Sequence, residues 1–389
     1  MNDQKLARAT TLLADLVGFP TISARSNLDL IDYIRAVLLK RGIDSVPVFN
    51  EDRTKANLVA SVGPKNQAGG VLLSGHTDVV PVDGQAWSSD PFTLTGRDEN
   101  YFGRGTCDMK GFIACVLAAI ETIEPHTLKR PLHMVFSFDE EIGCVGVRSV
   151  IDNFSTLAAR PSLIIIGEPT MMEPAVGHKG KIAGVIRCKG HECHSSDAPK
   201  GVNAIYLANE MISATRALQD QLAQHPRPEE GFTIPYTTVH IGTIKGGTAL
   251  NIVPSECLLE FEIRNSPSDP TNAILQSLFD EAARVTKNAR DRFPECGVVL
   301  ELTNEYPGLL MRESEPTLKS LQGLVGSQQA KKISFGTEGG LFHQALDVPT
   351  YICGPGDIAQ AHRPDEFISR DQLARCLNFL EKLSTDLSV

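Results

Sequence analysis

Apolar residues recur with helical spacing near residues 4 to 18 and again near 27 to 42, so two amphipathic helices are expected at the start of the chain. The period then changes. Short apolar runs bounded by Gly, Pro and Asp take over: VLLSG at 71–75, LHMVFSF at 132–138 and SLIIIG at 162–167 read as strands, and KGFIACVLAAIETIE at 110–124 reads as a helix. Strands that are apolar at successive positions are buried on both faces. The pattern therefore predicts an α/β domain with a central, mostly parallel or mixed sheet flanked by helices.

From about residue 179 the rhythm differs. KIAGVIRCKGH is a strand, NAIYLANEMISATRALQDQLAQH a long helix, TTVHIGTIKGG and ECLLEFEIRN two strands, NAILQSLFDEAARVTKNARDRF a second long helix and GVVLELTNE a strand. That order, βαββαβ, is a self-contained ferredoxin-like α+β unit, here expected as an insertion over 179–293. HPRPEEGFTIP at 225–235 reads as a loop inside it. Alternation then resumes through PTLKSLQGLVGS, KKISFGT, VPTYICGPG and a closing helix DQLARCLNFLEKLS, so residues 1–178 and 294–389 are expected to form one discontinuous domain.

Composition narrows the function. A chain of 389 residues is long enough for two domains, and no run approaches the roughly 20 apolar residues that span a bilayer, so no membrane partner is expected. The N-terminal stretch mixes charges and lacks the apolar core and cleavage site of a signal peptide, so it reads as mature protein. A net charge of −10 without a basic cluster gives no footprint for nucleic acid. The nine cysteines are odd in number, irregularly spaced and without a C-x-x-C pair, which fits reduced thiols in a cytoplasm better than disulfides or a cysteine zinc site.

Metal-ligand residue types stand where the apolar strand runs stop. His76 and Asp78 follow VLLSG, Asp139, Glu140 and Glu141 follow VFSF, Glu168 follows LIIIG, and His362 comes shortly after YICGPG, while Asp108 precedes a helix. Ligands of open α/β sheets bind beyond the carboxyl ends of the strands, so these scattered positions are predicted to converge. Singly, each has a bland reading as a cap, a turn or a structural His. Together they form a carboxylate-rich N/O set suited to zinc, cobalt or manganese. The adjacent Glu140 and Glu141 repel each other unless a cation intervenes. With Glu141 as ligand, Glu140 is placed to take a proton from a metal-bound water, and Asp78 to accept the second ring N–H of His76.

SGHTDVVPVDGQAWSSDPF, GRGTCDMKGF, FDEEIG, GEPT, KGHECHSSDAPKGVNA and GPGDIAQAHRPDEF resemble, over nearly the whole chain, the di-zinc M20 peptidase and deacylase family. The resemblance implies a small N-acylated amino acid as substrate and two divalent ions, zinc with cobalt as the alternative. His76 and Glu168 would hold one ion, Glu141 and His362 the other, and Asp108 both. Glu140 would be general acid and base towards a water shared by the two ions. The insert would be a dimerisation and lid domain, hinged near residues 178 and 293, in a homodimer where His194 polarises the scissile carbonyl in the partner's site. Asn251 and Arg264 would grip the substrate carboxylate, Arg through its planar fork. Gly354 reads as a turn whose exposed backbone approaches the substrate. Glu338, in SFGTEGGLFHQ, is expected to meet a substrate side-chain ammonium or to cap a helix. A non-catalytic metal or amino-acid binding module on the same fold is the alternative from another class.

Overall fold

A computed structural model describes residues 3–224 and 229–389. Residues 225–228 of the loop expected at 225–235 lie outside the described residues. The strands are β1 (Ser45–Phe49), β2 (Ala56–Val62), β3 (Val71–His76), β4 (Thr95–Arg97), β5 (Asn100–Phe102), β6 (Leu132–Ser137), β7 (Leu163–Pro169), β8 (Ala175–His178), β9 (Lys181–Lys189), β10 (Thr238–Gly246), β11 (Glu256–Arg264), β12 (Gly297–Tyr306), β13 (Leu309–Leu310), β14 (Lys331–Ile333), β15 (Thr350–Gly354) and β16 (Phe367–Ser369). The helices are α1 (Asp3–Val17), α2 (Leu28–Leu39), α3 (Gly111–Ile120), α4 (Val147–Asp152), α5 (Phe154–Leu157), α6 (Ala204–Ala223), α7 (Thr271–Arg290), α8 (Pro316–Val325), α9 (Gly339–Leu346) and α10 (Arg370–Leu387).

The chain forms two compact units. The first comprises residues 1–177, 309–332 and 337–389 and is built on a mixed sheet of order β1-β2-β6-β3-β7-β15-β8-β13, with β14 beside β8. Its centre, β6-β3-β7-β15, is parallel, and β1, β2 and β8 pair antiparallel outside it. Every residue of β3, β6, β7 and β15 is buried, as their unbroken apolar runs require. Helix α3 is likewise buried along its whole length and packs with α1 and α10; α2 packs on β1 and β2, and α9 on β7 and β15. Ser369 starts α10 by accepting the N–H of Gln372. Because the four central strands are parallel, their carboxyl ends all open at one edge, where His76, Asp139 to Glu141, Glu168 and the segment after Gly354 emerge.

The second unit, residues 178–308 with 333–336, is the expected βαββαβ element. Its antiparallel sheet has the order β10-β11-β9-β12. Alternate residues of β9 (Ile182, Ile186, Cys188) and β11 (Cys257, Leu259, Phe261, Ile263) join α6 and α7 in one core. Asn203 caps α6 by accepting the N–H of Ile205. The expected boundary at residue 293 is corrected: β12 pairs with β9 throughout, so the chain returns to the first unit only at Leu309. The turn at residues 291–296 resembled an exit but is the connection of α7 to the last strand.

Candidate metal centre

Asp108 stands at the middle of the strand-end cluster. One carboxylate oxygen, Oδ1, lies 3.0 Å from His76 Nε2, and the other, Oδ2, lies 3.2 Å from His362 Nε2. His76 Nε2 is also 3.6 Å from Glu168 Oε1, and His362 Nε2 is 3.1 Å from Glu141 Oε1. Two donor sets result, His76 with Asp108 and Glu168, and Asp108 with Glu141 and His362, and Asp108 is common to both. Donors that each sit about 2 Å from one ion lie roughly 3–4 Å from one another, so these separations fit a divalent cation in each set. The residue types fit too: imidazole and carboxylate, with no thiolate.

Charge makes the same point. Asp78, Asp108, Glu140, Glu168 and Glu338 are all buried here. The nearby Lys55 and Arg104 are committed to Asp139 and Glu366. Burial pushes Glu140 well above the usual carboxylate range, and the charges of Glu141, Glu338 and Asp78 add to it. Burial and the charge of Asp108 likewise raise Glu168, and bring Glu141 to about 7. Asp108 is held low although burial opposes it, because both His362 and His76 bond to it. For His76 burial favours the neutral ring, yet contacts with Asp108 and Asp78 and the charge of Glu168 hold it well above its ordinary value. His362 is raised to about 10 by its bonds to Asp108 and Glu141. So many acids in one buried place stay charged together only beside cations.

Glu140 belongs to neither set. Its N–H donates to Asp78 Oδ1 at 3.1 Å, and the Cys144 thiol donates to its Oε1 at 3.3 Å. Sequence reasoning missed Cys144, four residues beyond Glu140; the only signal was its place in FDEEIGC. The role expected of Asp78 is corrected. His76 Nδ1 donates to the main-chain oxygen of Asp78 at 2.9 Å, whereas the carboxylate is 3.6 Å away. That carboxylate instead accepts from the N–H groups of Glu140 and Glu141 and from Ser23 Oγ, so it orients the acidic pair.

Glu338 and Gly354 also differ from expectation. Glu338 is 1% exposed, accepts from Ser74 Oγ at 3.1 Å and makes no capping bond to α9. Its buried side chain sits against β3 rather than at an open surface, and burial pushes its pKa up to about 7. Gly354 is a buried strand residue, not an exposed turn. A Cβ there would stand 1.9 Å from the Gly167 carbonyl oxygen, so glycine lets β15 close on the end of β7 that carries Glu168.

His194, Asn251 and Arg264 belong to the second unit. The N–H of Ser195 donates to the Asn251 carbonyl, and a bridge joins His194 to Ile252, so His194 and Asn251 share one end of the sheet. The N–H of Ser196 donates to His194 Nδ1 at 3.2 Å, which leaves the proton of the neutral ring on Nε2. Arg264 lies at the other end. Eight residues of β11 separate it from Glu256, a span of roughly 27 Å. Its fork is closed on Glu262, at 2.8 and 3.2 Å, and its remaining nitrogen reaches the Tyr306 hydroxyl at 3.1 Å.

All nine cysteines are free, and among the described residues no helix is long and apolar enough to cross a membrane. Residues 72–386 match the model of peptidase family M20/M25/M40. The chain is 38% identical over 363 residues to an acetylornithine deacetylase of Shigella sonnei, covering 91% of each chain. In structure it is similar to an M20 family metallo-carboxypeptidase from Sulfolobus solfataricus (TM-score 0.78, 18% identity, 98% and 99% of the two chains). It is also similar to aminopeptidase PepT from Bacillus cereus (TM-score 0.75, 17% identity, 99% of each). A dinuclear metal binding peptidase of Bacillus subtilis shares the fold as well (TM-score 0.69, 16% identity, 99% of each). With its paired donor sets and these likenesses, the chain belongs to peptidase family M20/M25/M40 and is a metallohydrolase of that family.

Proposed function

We propose that the chain hydrolyses N2-acetyl-L-ornithine to L-ornithine and acetate, a step of arginine biosynthesis, with zinc as the metal, cobalt a compatible substitute, and the cytoplasm as compartment. The observation that carries the hydrolytic reading is the Asp108 carboxylate, which turns one oxygen to each histidine. The substrate is supported by the likeness to the Shigella sonnei acetylornithine deacetylase. The nine free cysteines, eight of them buried, accord with the compartment.

Two bound divalent ions supply Lewis acidity and an acidified water. His76 and Glu168 would hold one, Glu141 and His362 the other, and Asp108 both. Glu140 takes the proton from the attacking water and returns it to the leaving nitrogen. Its burial suits that task, because a carboxylate pushed up in pKa is a better base near neutral pH. Asp78 fixes Glu140 through its main chain, and Cys144 steadies the carboxylate itself. Cα–substituent recognition falls to Arg264, whose fork exchanges Glu262 for the substrate carboxylate.

His194 carries its proton on the nitrogen that can donate to a developing oxyanion. His194 with Asn251 and Arg264 cannot serve one small substrate from a single copy, since opposite ends of one sheet hold them. A homodimer in which His194 and Asn251 serve the partner's site resolves this. Exposed Tyr206, Ile244, Leu250 and Ile252 stand on the same end as His194 and offer an apolar surface for the pairing.

The burial of Glu338 favours a second reading, an aminoacylase of broader side-chain range, because that carboxylate is not presented to a substrate ammonium. Hydrolysis of acetylornithine, acetylcitrulline, succinyl-diaminopimelate, an acetylated apolar amino acid and simple dipeptides separates the readings. Preference for acetylornithine supports the first. Equal rates across acetylated amino acids support the second, and metal binding without hydrolysis of any substrate would return the chain to a binding role.

A further inference from the structure

The loop that carries Asp108 and the segment that carries His362 are fastened together by side chains outside both donor sets. Glu366 Oε2 accepts from Arg104 Nη1 at 2.7 Å and from the Gly105 N–H at 3.0 Å. Its Oε1 accepts from the N–H groups of Cys107 at 2.9 Å and Asp108 at 3.0 Å. Three main-chain donors of one loop thus converge on one carboxylate, and the last of them belongs to the shared ligand itself. Both Glu366 and Arg104 side chains are 1% exposed.

Arg104 continues the connection. Its guanidinium also donates to the Arg363 carbonyl at 3.3 Å and to Gln85 Oε1, and Gln85 Nε2 donates to the His362 carbonyl at 3.1 Å. Trp87 lies with its ring 5.0 Å from the Arg104 guanidinium carbon and donates to Gln85 Oε1 at 3.0 Å. His362 needs such support. Its φ of 62° is left-handed, its side chain is half exposed, and it is held in no helix or strand.

We propose that Gln85, Arg104 and Glu366 are positioning residues of the metal centre, and that they act unequally on the two donor sets. Glu366 fixes the main chain of Asp108 and so governs both sets. Gln85 fixes the main chain of His362 and so governs only the set of Asp108, Glu141 and His362. A buried Arg–Glu pair that served stability alone could be exchanged for apolar side chains. Here its hydrogen bonds end on the main chain of the ligand residues, and outer partners of metal ligands typically govern affinity about 10–100-fold. The inference rests on the two-metal reading above.

Calorimetric titration of the chelator-treated full chain with zinc tests it, using the unmodified protein, Gln85→Ala and Glu366→Gln. The unmodified protein is expected to take up two equivalents. Gln85→Ala should keep one equivalent at unchanged affinity and bind the other about 10–100-fold more weakly, whereas Glu366→Gln should weaken both. Trp87 is the single tryptophan of the chain, so its emission should change with the equivalent that Gln85→Ala weakens. Gln85 is only partly buried, so its variant tests the idea even if Glu366→Gln folds poorly. Unchanged isotherms in both variants overturn the proposal, as does equal weakening of both equivalents by Gln85→Ala or an emission that follows the other equivalent. Fewer than two equivalents in the unmodified protein would instead remove the two-metal reading beneath it.

Discussion

Glu338→Gln should stabilise the metal-free protein at about pH 8 and change it little at about pH 4.5. The carboxylate is fully buried, with one bond from Ser74, and its pKa is raised to about 7. In the unfolded chain Glu338 gives up its proton near the ordinary value of about 4.3, whereas the folded chain keeps it until about 7. Between those limits the folded state binds more protons than the unfolded one. The stabilising contribution is therefore complete on the acid side and is lost as pH rises, by up to about 1.4 kcal/mol per pH unit and about 4 kcal/mol in all. Gln has nearly the same shape, can accept from Ser74 and does not ionise, so it escapes that loss. Urea unfolding of chelator-treated protein, followed by circular dichroism at the two pH values, measures it. Taking the difference between variant and parent cancels Glu141 and Glu168, which titrate in both, while Glu140, relieved of the Glu338 charge that helps to raise it, adds to the variant's gain at the alkaline pH. Parallel loss of stability with pH in the two proteins would refute the argument, and so would a variant less stable than its parent at the alkaline pH.

Glu140→Ala should bind two zinc equivalents as the parent does and lose about 10²–10⁴-fold in kcat, measured by acetate release; near-normal turnover would remove Glu140 as the base. Mixing inactive His194→Ala and Glu140→Ala proteins under conditions that exchange subunits should restore about a quarter of parental activity, since half the dimers are mixed and each has one intact site. No recovery would place His194 in its own subunit's site or outside catalysis. Arg264→Lys should raise KM for acetylornithine about 10–100-fold, because Lys lacks the planar fork, and should change KM for the methyl ester far less. An equal rise for both compounds would take the carboxylate away from Arg264.

Much of the site was legible because of how parallel strands are buried. In β3, β6 and β7 every position is buried and most are apolar, so the ionisable residues at each carboxyl end stand out: His76, then Asp139 to Glu141, then Glu168. The βαββαβ unit was legible for a different reason, the alternation along β9 and β11 against two long amphipathic helices. Strands β8, β13 and β14 have four residues or fewer, too few to establish a period. Side-chain roles set by the third dimension were hidden as well. Asp78 has its main chain and its carboxylate serving different partners, and Gly354 looks like turn chemistry although it marks a close strand approach. Arg104 and Glu366 are 262 residues apart, and nothing in either motif names the other.

The two donor sets also differ in the rigidity of what carries them. His76 and Glu168 sit on adjacent central strands, and with Asp108 all three are buried. That set inherits its spacing from the β3–β7 register, which cannot shift by one residue without turning every side chain to the opposite face. Glu141 and His362, in contrast, follow their strands on connecting segments, and the His362 side chain is 51% exposed. The ladder gives this second set no fixed spacing, so it must be supplied by hydrogen bonds: Asp78 to the N–H of Glu141, Gln85 to the carbonyl of His362. Asp108 joins the two regimes, a loop residue whose main chain is tied down by Glu366 and whose carboxylate faces both histidines. A rigid sheet edge thus defines half of the centre, and a hydrogen-bonded strap across the loops completes the rest. At the partly buried Gln85 the strap can therefore be altered with the sheet edge that carries the first set left in place.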